Sequence, residues 1–356
     1  MKPSAIGPNH PNFAAINHRI FITWLKTLTG TCAMFGLVLL AFYEFGSAKL
    51  VHELTHSWFT YLWLVFPVIS WWYSAKLSLI MAKAKPADPN VPEEKRLIDL
   101  VHAVWLESGL KYRPPVFIAA SPLPNAFATG PIHRKAVVAA TRGLFEIGLT
   151  DDEIKAVFSH ELSHVRNYDV AINSFQAILS SLLFLVLNFA LQTIFGSLKL
   201  LSFIFGKNGG GFLRRMLSDL ESGILFYGVF WLVSQVTIVI QMFVTRSRES
   251  AADAYGSRMT GNPCALATAL EKLSDYVEKH RPTGKEKAFW LALRPATIVD
   301  PIYDVYPNFN KPKVDKHKSL WQWVKYYWVE LHLTHPDTAE RIEVLEQMNG
   351  GSCPRI

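Results

Sequence analysis

The sequence predicts an α-helical membrane protein with about four transmembrane helices and a mainly helical soluble part that contains a small β-sheet. Half of the 356 residues are apolar and 18% are charged, whereas soluble globular proteins usually carry about 25% charged residues. The apolar residues are concentrated in runs long enough to cross a bilayer. Two polar segments remain between and after these runs. The composition and the absence of repeats exclude a collagen, a coiled coil and a disordered chain.

Four apolar windows account for the predicted membrane helices, because a helix needs about 20 apolar residues to cross a bilayer. They cover residues 21–43, 58–80, 170–195 and 223–243. A buried core helix is the alternative for each window. This alternative has less support for the second and fourth windows than for the other two, because the second and fourth are nearly continuous and free of charged residues.

The windows divide the chain into five parts. These are an N-terminal tail (1–20), a first transmembrane pair (21–80), a first soluble segment (81–169), a second transmembrane pair (170–243) and a second soluble segment (244–356). Both soluble segments lie on one side of the membrane, because an even number of spans separates them. Together they are long enough to form one compact domain.

Basic residues predict which side this is, since cytoplasmic loops carry an excess of lysine and arginine. Lys83, Lys85, Lys95 and Arg96 follow the second window, and Arg246, Arg248 and Arg258 follow the fourth. Three basic residues in the 206–222 loop weaken this signal. We nevertheless expect a cytoplasmic location for both termini and both soluble segments. The net charge of +7 follows from this bias, and no basic stripe indicates a nucleic-acid partner.

The three cysteines, Cys32, Cys264 and Cys353, are odd in number and widely separated. Their spacing predicts neither a disulfide framework nor a zinc knuckle. A chain without disulfides agrees with a reducing cytosol.

The pattern HExxH occurs twice, at residues 52–56 and 160–164. On a helix, its two histidines lie on one face and can bind one Zn²⁺, with the glutamate beside a reactive water. The 52–56 copy lies between two predicted spans, opposite the soluble segments, where no domain supplies a third ligand or a substrate cleft. We interpret it as an ordinary polar loop.

The 160–164 copy has a context that fits a metal site. Thr150 and Glu153 form a capping box that predicts a helix beginning near Asp151. No glycine or proline follows until Gly196, so we expect the helix to continue into the third span. His164 precedes that span, and Glu249 follows the fourth span, each by about six residues or about 9 Å of helix. Glu249 is therefore the predicted third ligand, at the same height above the membrane.

Four segments together resemble the HtpX-type membrane zinc metalloproteases, a gluzincin-like group in which a glutamate is the third ligand. They are the 160–164 motif, the run Arg246 to Asp253, the run Pro124-Asn-Ala-Phe-Ala-Thr-Gly130, and Thr334-His335-Pro336 with Arg341-Ile342. The resemblance covers about residues 115–345. The chain departs from the family in its longer N-terminal tail, in the stretch 279–330, and in Ser250, where an aromatic residue is more frequent. These departures concern partner contacts and cleft shape.

The resemblance implies a zincin-like metalloprotease domain with one catalytic Zn²⁺ bound by His160, His164 and Glu249. Glu161 would take a proton from water and later pass it to the leaving amine. It also implies that Asp253 hydrogen-bonds a ligand histidine, and that His335 stabilises the tetrahedral oxyanion. A solvated Asp253 and a helix-capping His335 are the alternatives. Asp169 either orients its helix at the membrane surface or marks the interface.

A β-strand near Asn125, Ala126, Phe127 and Ala128 is implied to pair with an extended substrate, with a plain hairpin as the alternative. Residues 116–120 and 136–140 are strand-like on either side of it.

The implied function is a zinc endopeptidase of the bacterial inner membrane whose active site faces the cytoplasm. It would cleave misfolded or damaged membrane proteins in quality control and stress response, with protein substrates and the lipid bilayer as partners; an oligomer is left open. One alternative is a CAAX-prenyl-protease-like enzyme, whose relatives have more spans enclosing a chamber. Another is a non-enzymatic scaffold with a zinc site, which would not need Glu161.

Overall fold

The computed structural model describes residues 11–45, 52, 56, 58–205, 211–280 and 336–354. The helices are α1 (Phe13–Phe45), α2 (Trp58–Trp72), α3 (Ser74–Met81), α4 (Pro92–Ser108), α5 (Gly143–Glu146), α6 (Asp151–Arg166), α7 (Asp169–Phe205), α8 (Gly211–Thr260), α9 (Pro263–Lys279) and α10 (Thr338–Asn349). The strands are β1 (Lys85–Pro86), β2 (Val116–Ala119), β3 (Ala126–Thr129) and β4 (Val137–Thr141). His335, Glu53 and nearly all of the 279–330 stretch lie outside the described residues.

The chain forms two compact units. The first contains residues 1–27, 70–172 and 242–356, and the second contains residues 28–69 and 173–241. The first unit therefore collects three separate stretches of sequence, and all described residues of the predicted metal site belong to it.

Within the described residues, three helices are long and apolar enough to cross a membrane: Phe13–Glu44, Asp169–Phe189 and Gly228–Thr260. They correspond to the first, third and fourth predicted windows. The second window is divided at Tyr73 into α2, with 15 residues, and α3, with 8 residues. The span predicted for residues 58–80 therefore stays a prediction.

The second unit has its own apolar core and buried polar contacts between helices. Met34 and Val38 of α1 pack against Leu179 and Leu183 of α7. The side-chain amide of Gln176 donates to Thr31 Oγ1 at 2.8 Å.

A small mixed sheet lies at the centre of the first unit, in the strand order β1-β2-β4-β3. β2 runs parallel to β4, and β3 runs antiparallel to β4 with Ala128 opposite Val138. The strands predicted around residues 116–120 and 136–140 are thus confirmed. One face of the sheet packs in the main core with α4, α6 and α9, and the other contacts Leu79 and Ala82. β3 is an outer strand of this sheet, so only one of its two edges pairs with another strand of the sheet.

The start of α6 is as the sequence predicts, because both capping-box hydrogen bonds are present. The backbone N–H of Glu153 donates to Thr150 Oγ1, and the backbone N–H of Thr150 donates to Glu153 Oε2 at 2.7 Å. The expectation of a helix that continues into the third span is wrong. α6 ends at Arg166, Tyr168 adopts the left-handed conformation with φ +57°, and α7 begins at Asp169.

The break at Tyr168 occurs without a glycine or proline. A left-handed residue interrupts the helical hydrogen-bond series and is strained for a large side chain. Here the Tyr168 ring stacks on His133, with ring centroids 4.3 Å apart. The turn also returns Asp169 towards His164, so that Nδ1 of His164 donates to Asp169 Oδ2 at 2.7 Å.

The prediction that the cysteines form no disulfide is also wrong. Cys264, at the start of α9, is bonded to Cys353, after the end of α10, and the two Cα atoms lie 5.3 Å apart. The packing of α9 against α10 brings together residues 89 positions apart, which sequence spacing alone does not reveal. Cysteine spacing therefore no longer supports a reducing compartment.

The disulfide can be tested by counting thiols. We expect one reactive thiol, Cys32, in denatured protein that has not been reduced, and three after reduction. Cys353→Ser should destabilise the first unit by about 2–4 kcal/mol, because an open chain gains conformational freedom on unfolding. The fall in melting temperature in detergent measures this, with Cys32→Ser as the control. Three reactive thiols before reduction would contradict the disulfide.

Candidate metal centre

His160, His164 and Glu249 meet at one point of the first unit. The two histidine Nε2 atoms lie 3.2 Å apart. Nε2 of His160 lies 3.6 Å from one carboxylate oxygen of Glu249, and Nε2 of His164 lies 3.6 Å from the other. The structure thus brings together the three residues that the sequence predicts as ligands.

The spacing and the chemistry of these atoms fit a bound metal ion. A tetrahedral zinc ion with ligand bonds of about 2.0–2.1 Å holds neighbouring ligand atoms about 3.3 Å apart. Imidazole nitrogen and carboxylate oxygen are typical zinc ligands. No further histidine, cysteine, aspartate or glutamate of the described ranges joins the group. Three protein ligands leave a fourth position for water or substrate, as in catalytic zinc sites.

Two helices supply the three predicted ligands. His160 and His164 are four residues apart on α6, so they project from one face of that helix. Glu249 lies on α8, which packs directly against the α6 backbone. A Cβ atom added to Gly256 of α8 would lie 2.9 Å from the backbone nitrogen of His160, closer than packed atoms approach. Gly256 therefore allows the helix contact that places Glu249 opposite the histidines.

A carboxylate lies behind each histidine. Nδ1 of His160 lies 2.8 Å from Oδ1 of Asp253, and Nδ1 of His164 donates to Asp169. A proton held on each Nδ1 leaves Nε2 with its lone pair towards the metal position, which is the usual arrangement of a ligand histidine. The expected contact of Asp253 with a ligand histidine is therefore present in the structure. Asp169 has the equivalent position at His164, a contact that an unbroken helix, as predicted from the sequence, would not produce.

The charges around the histidines favour a cation. Burial by itself lowers the pKa of His160, but Asp253 and Glu249 outweigh burial and raise this pKa to about 10. The pKa of His164 is also raised, because Glu249 and Asp169 outweigh its burial. Metal binding at this point therefore competes with protons.

Glu161 lies between the histidines and the outer strand β3. Its carboxylate oxygen Oε2 accepts the backbone N–H of Ala128 at 3.0 Å. Burial, the largest influence, raises the pKa of Glu161, which suits a group that must accept and release a proton. The predicted general base and the predicted substrate strand are therefore in direct contact.

The four residues predicted to bind substrate lie in and just before β3. Ala126, Phe127 and Ala128 belong to the strand. Asn125 precedes it and is fixed to β4, because its backbone N–H donates to Thr141 Oγ1 and its carbonyl accepts the Thr141 N–H.

Comparison with known proteins gives consistent matches over most of the chain. A family model described as peptidase family M48 matches residues 92–349. A protease HtpX homolog of Thermococcus sibiricus is 31% identical over 330 residues, covering 91% of this chain and 96% of the relative. A protease HtpX homolog of Syntrophobacter fumaroxidans is 36% identical over 215 residues, covering 59% of this chain and 69% of the relative.

Among solved structures, the chain matches the crystal structure of S. mikatae Ste24p with a TM-score of 0.49 and 19% identity. The match covers 92% of this chain and 66% of that chain, so this chain spans just under two thirds of its length.

Gly256→Ala should weaken zinc binding by about tenfold or more, because the added methyl group pushes α8 and Glu249 away from α6. Gly228→Ala, in the same helix, is the matched control, since a Cβ there meets no described atom within 4 Å. Alanine favours a helix over glycine by about 1 kcal/mol, so reduced affinity in the Gly256 variant would not come from helix propensity. Competition with a chelating dye measures the affinity, and equal affinities in the two variants would contradict the packing argument.

Proposed function

Because the chain belongs to peptidase family M48, we propose that this membrane metalloprotease is a zinc endopeptidase that cleaves misfolded or damaged membrane proteins at the cytoplasmic face of a bacterial inner membrane. The observation that carries the proposal is the position of Glu161. It adjoins the two predicted ligand histidines and also contacts the outer strand β3. The group proposed to transfer protons, Glu161, is therefore next to the strand proposed to bind substrate, β3.

The residues of this chain divide the reaction between them. His160, His164 and Glu249 would hold the metal, which when bound supplies a Lewis acid that lowers the pKa of water and polarises the scissile carbonyl. Glu161 would accept a proton from the attacking water and deliver it to the leaving amine. Its buried carboxylate and raised pKa support both transfers.

The geometry of β3 supports binding of an extended substrate. Asn125 bonds to β4, whereas Ala128 directs its N–H to Glu161. Backbone groups alternate in direction along a strand, so Ala126 and Ala128 present theirs on the side away from β4. A substrate strand paired on that side would lie beside the catalytic glutamate.

The continuity of the helices supports substrates at the membrane surface. Glu249 lies near the C-terminal end of α8, after the predicted span at residues 223–243, and the Gly228–Thr260 part of α8 contains a window apolar enough to cross a bilayer. The apolar helix α7 begins at Asp169, five residues after His164. The ligand residues are therefore close in sequence to apolar helices on both sides.

Glu161→Gln should retain zinc and lower the cleavage rate of denatured casein by about 10²–10⁴-fold, because the amide cannot accept the proton. Metal analysis and proteolysis of the same purified sample in detergent provide the two measurements. Glu53→Gln, at the same position of the other HExxH sequence, is the matched control and should cleave at the wild-type rate.

Three outcomes would contradict parts of the proposal. Wild-type activity in the Glu161 variant would remove Glu161 as the general base. An equal loss in the Glu53 variant would overturn the choice between the two motifs. Cleavage restricted to a prenylated CAAX peptide would favour the prenyl-protease-like function over quality control.

Peptide substrates with single N-methylated backbone amides test pairing with β3. Only alternate backbone groups of a paired strand face its partner. N-methylation should therefore raise KM at every second position and have little effect at the positions between, which serve as internal controls. Equal sensitivity at all positions of the peptide would contradict strand pairing.

A further inference from the structure

We propose that Arg341 and Arg248 are positioning residues of the metal centre, each acting through an aspartate on one ligand histidine. The inference rests on the proposed function, in which His160 and His164 bind zinc. Both arginines belong to sequence motifs of this chain, Arg248 to the run Arg246 to Asp253 and Arg341 to the Arg341-Ile342 pair.

Arg341 holds Asp253 with two hydrogen bonds. Its Nε donates to Oδ2 at 2.9 Å, and its Nη2 donates to Oδ1 at 2.8 Å. Both side chains are buried. Oδ1 of Asp253 also lies 2.8 Å from Nδ1 of His160. Arg341, Asp253 and His160 thus form a continuous series of contacts that ends at a predicted zinc ligand.

The two-point contact fixes orientation as well as charge. A planar guanidinium that binds both carboxylate oxygens holds the carboxylate in one plane. The oxygen facing His160 is then fixed, and with it the direction of the imidazole. A lysine would supply the charge but only a single point of attachment, so the two residues should not be equivalent here.

Arg248 has the corresponding position behind His164. Its Nε donates to Asp169 Oδ1 at 2.6 Å, while Oδ2 of the same carboxylate accepts from His164. The Trp24 ring lies 4.2 Å from the guanidinium carbon. Asp169 therefore connects Arg248 to the second ligand histidine.

Stability alone gives a poor account of Arg248. It is 1% exposed, and its two Nη atoms have no hydrogen-bond partner in the part of the chain that the structure describes. Buried donors without partners cost free energy. Orientation of Asp169 explains why a charged group occupies this position.

Arg341 also connects the metal centre to the C-terminal helix. It lies on α10, 88 residues after Asp253 in sequence. α10 packs against α9, and the Cys264–Cys353 disulfide joins the two regions. Complete support of His160 therefore requires α10 to be in place.

A double-mutant cycle tests the Arg341 series. The zinc dissociation constants of the wild type, Arg341→Gln, Asp253→Asn and the double variant are measured in detergent by competition with a chelating dye. We expect each single variant to bind zinc about 10–100-fold more weakly. The double variant should bind zinc about as tightly as the single variant with the lower affinity, because both changes break the same series of contacts from Arg341 through Asp253 to His160.

Two further variants separate positioning from folding. Arg341→Lys keeps the charge and should still bind zinc more weakly than the wild type. Arg96→Gln removes an exposed ion pair with Asp151 and should leave zinc affinity unchanged. Saturating zinc should restore most of the activity of Arg341→Lys, whereas a folding defect would lower its melting temperature without changing the affinity of the folded fraction.

The same cycle with Arg248→Gln and Asp169→Asn tests the second series.

The outcomes distinguish this inference from the proposed function. If the wild type binds zinc and cleaves protein but the arginine variants retain wild-type affinity, the inference is wrong and the function stands. Additive losses in the double variants would also overturn it, since they show that arginine and aspartate act separately. A wild type that binds no zinc would overturn both.

Discussion

The close contact between α6 and α8 is the constraint on which the rest of the first unit depends. Three predicted ligand atoms lie within a few ångströms of one point, although one of them comes from the far end of α8, a helix that itself contains an apolar segment. Gly256 permits the contact, and the neighbouring residues Ala251, Ala252 and Ala254 are fully buried. These small side chains allow the backbones of α8 and α6 to approach each other closely. The position of Glu249 is a consequence of this backbone packing.

The interior around the ligands contains far more charge than an ordinary protein core. Buried charges are tolerated when they are paired and hydrogen-bonded, and here each buried aspartate lies between an arginine and a histidine. Removing one member leaves its neighbour buried without compensation, which costs more than the pair contributes to stability. The stability of each buried charged residue therefore depends on its neighbours. The sheet and helices around the site keep these residues in contact.

Features set by residues close together in sequence could be predicted. Features set by contacts between residues far apart in sequence could not. The capping box at Thr150 and the histidine pair on α6 are local. Glu249 could be proposed as the third ligand because it follows the fourth predicted span by about as many residues as His164 precedes the third. The break at Tyr168 is accompanied by stacking on His133, which is 35 residues away in sequence. The Cys264–Cys353 bond depends on packing of α9 against α10, and the contact of Arg341 with Asp253 depends on the same packing. None of these has a signal in spacing or hydropathy.

The division of the first unit into three stretches of sequence also sets the order of events during synthesis. His160 and His164 leave the ribosome before both helices of the second apolar pair, and Glu249 follows them only after several seconds at about 5–20 residues per second. Arg341 emerges later still. A nascent chain therefore carries an incomplete set of ligands while its apolar helices are entering the bilayer. The three predicted ligands can therefore meet only after both helices of the second apolar pair have been synthesised.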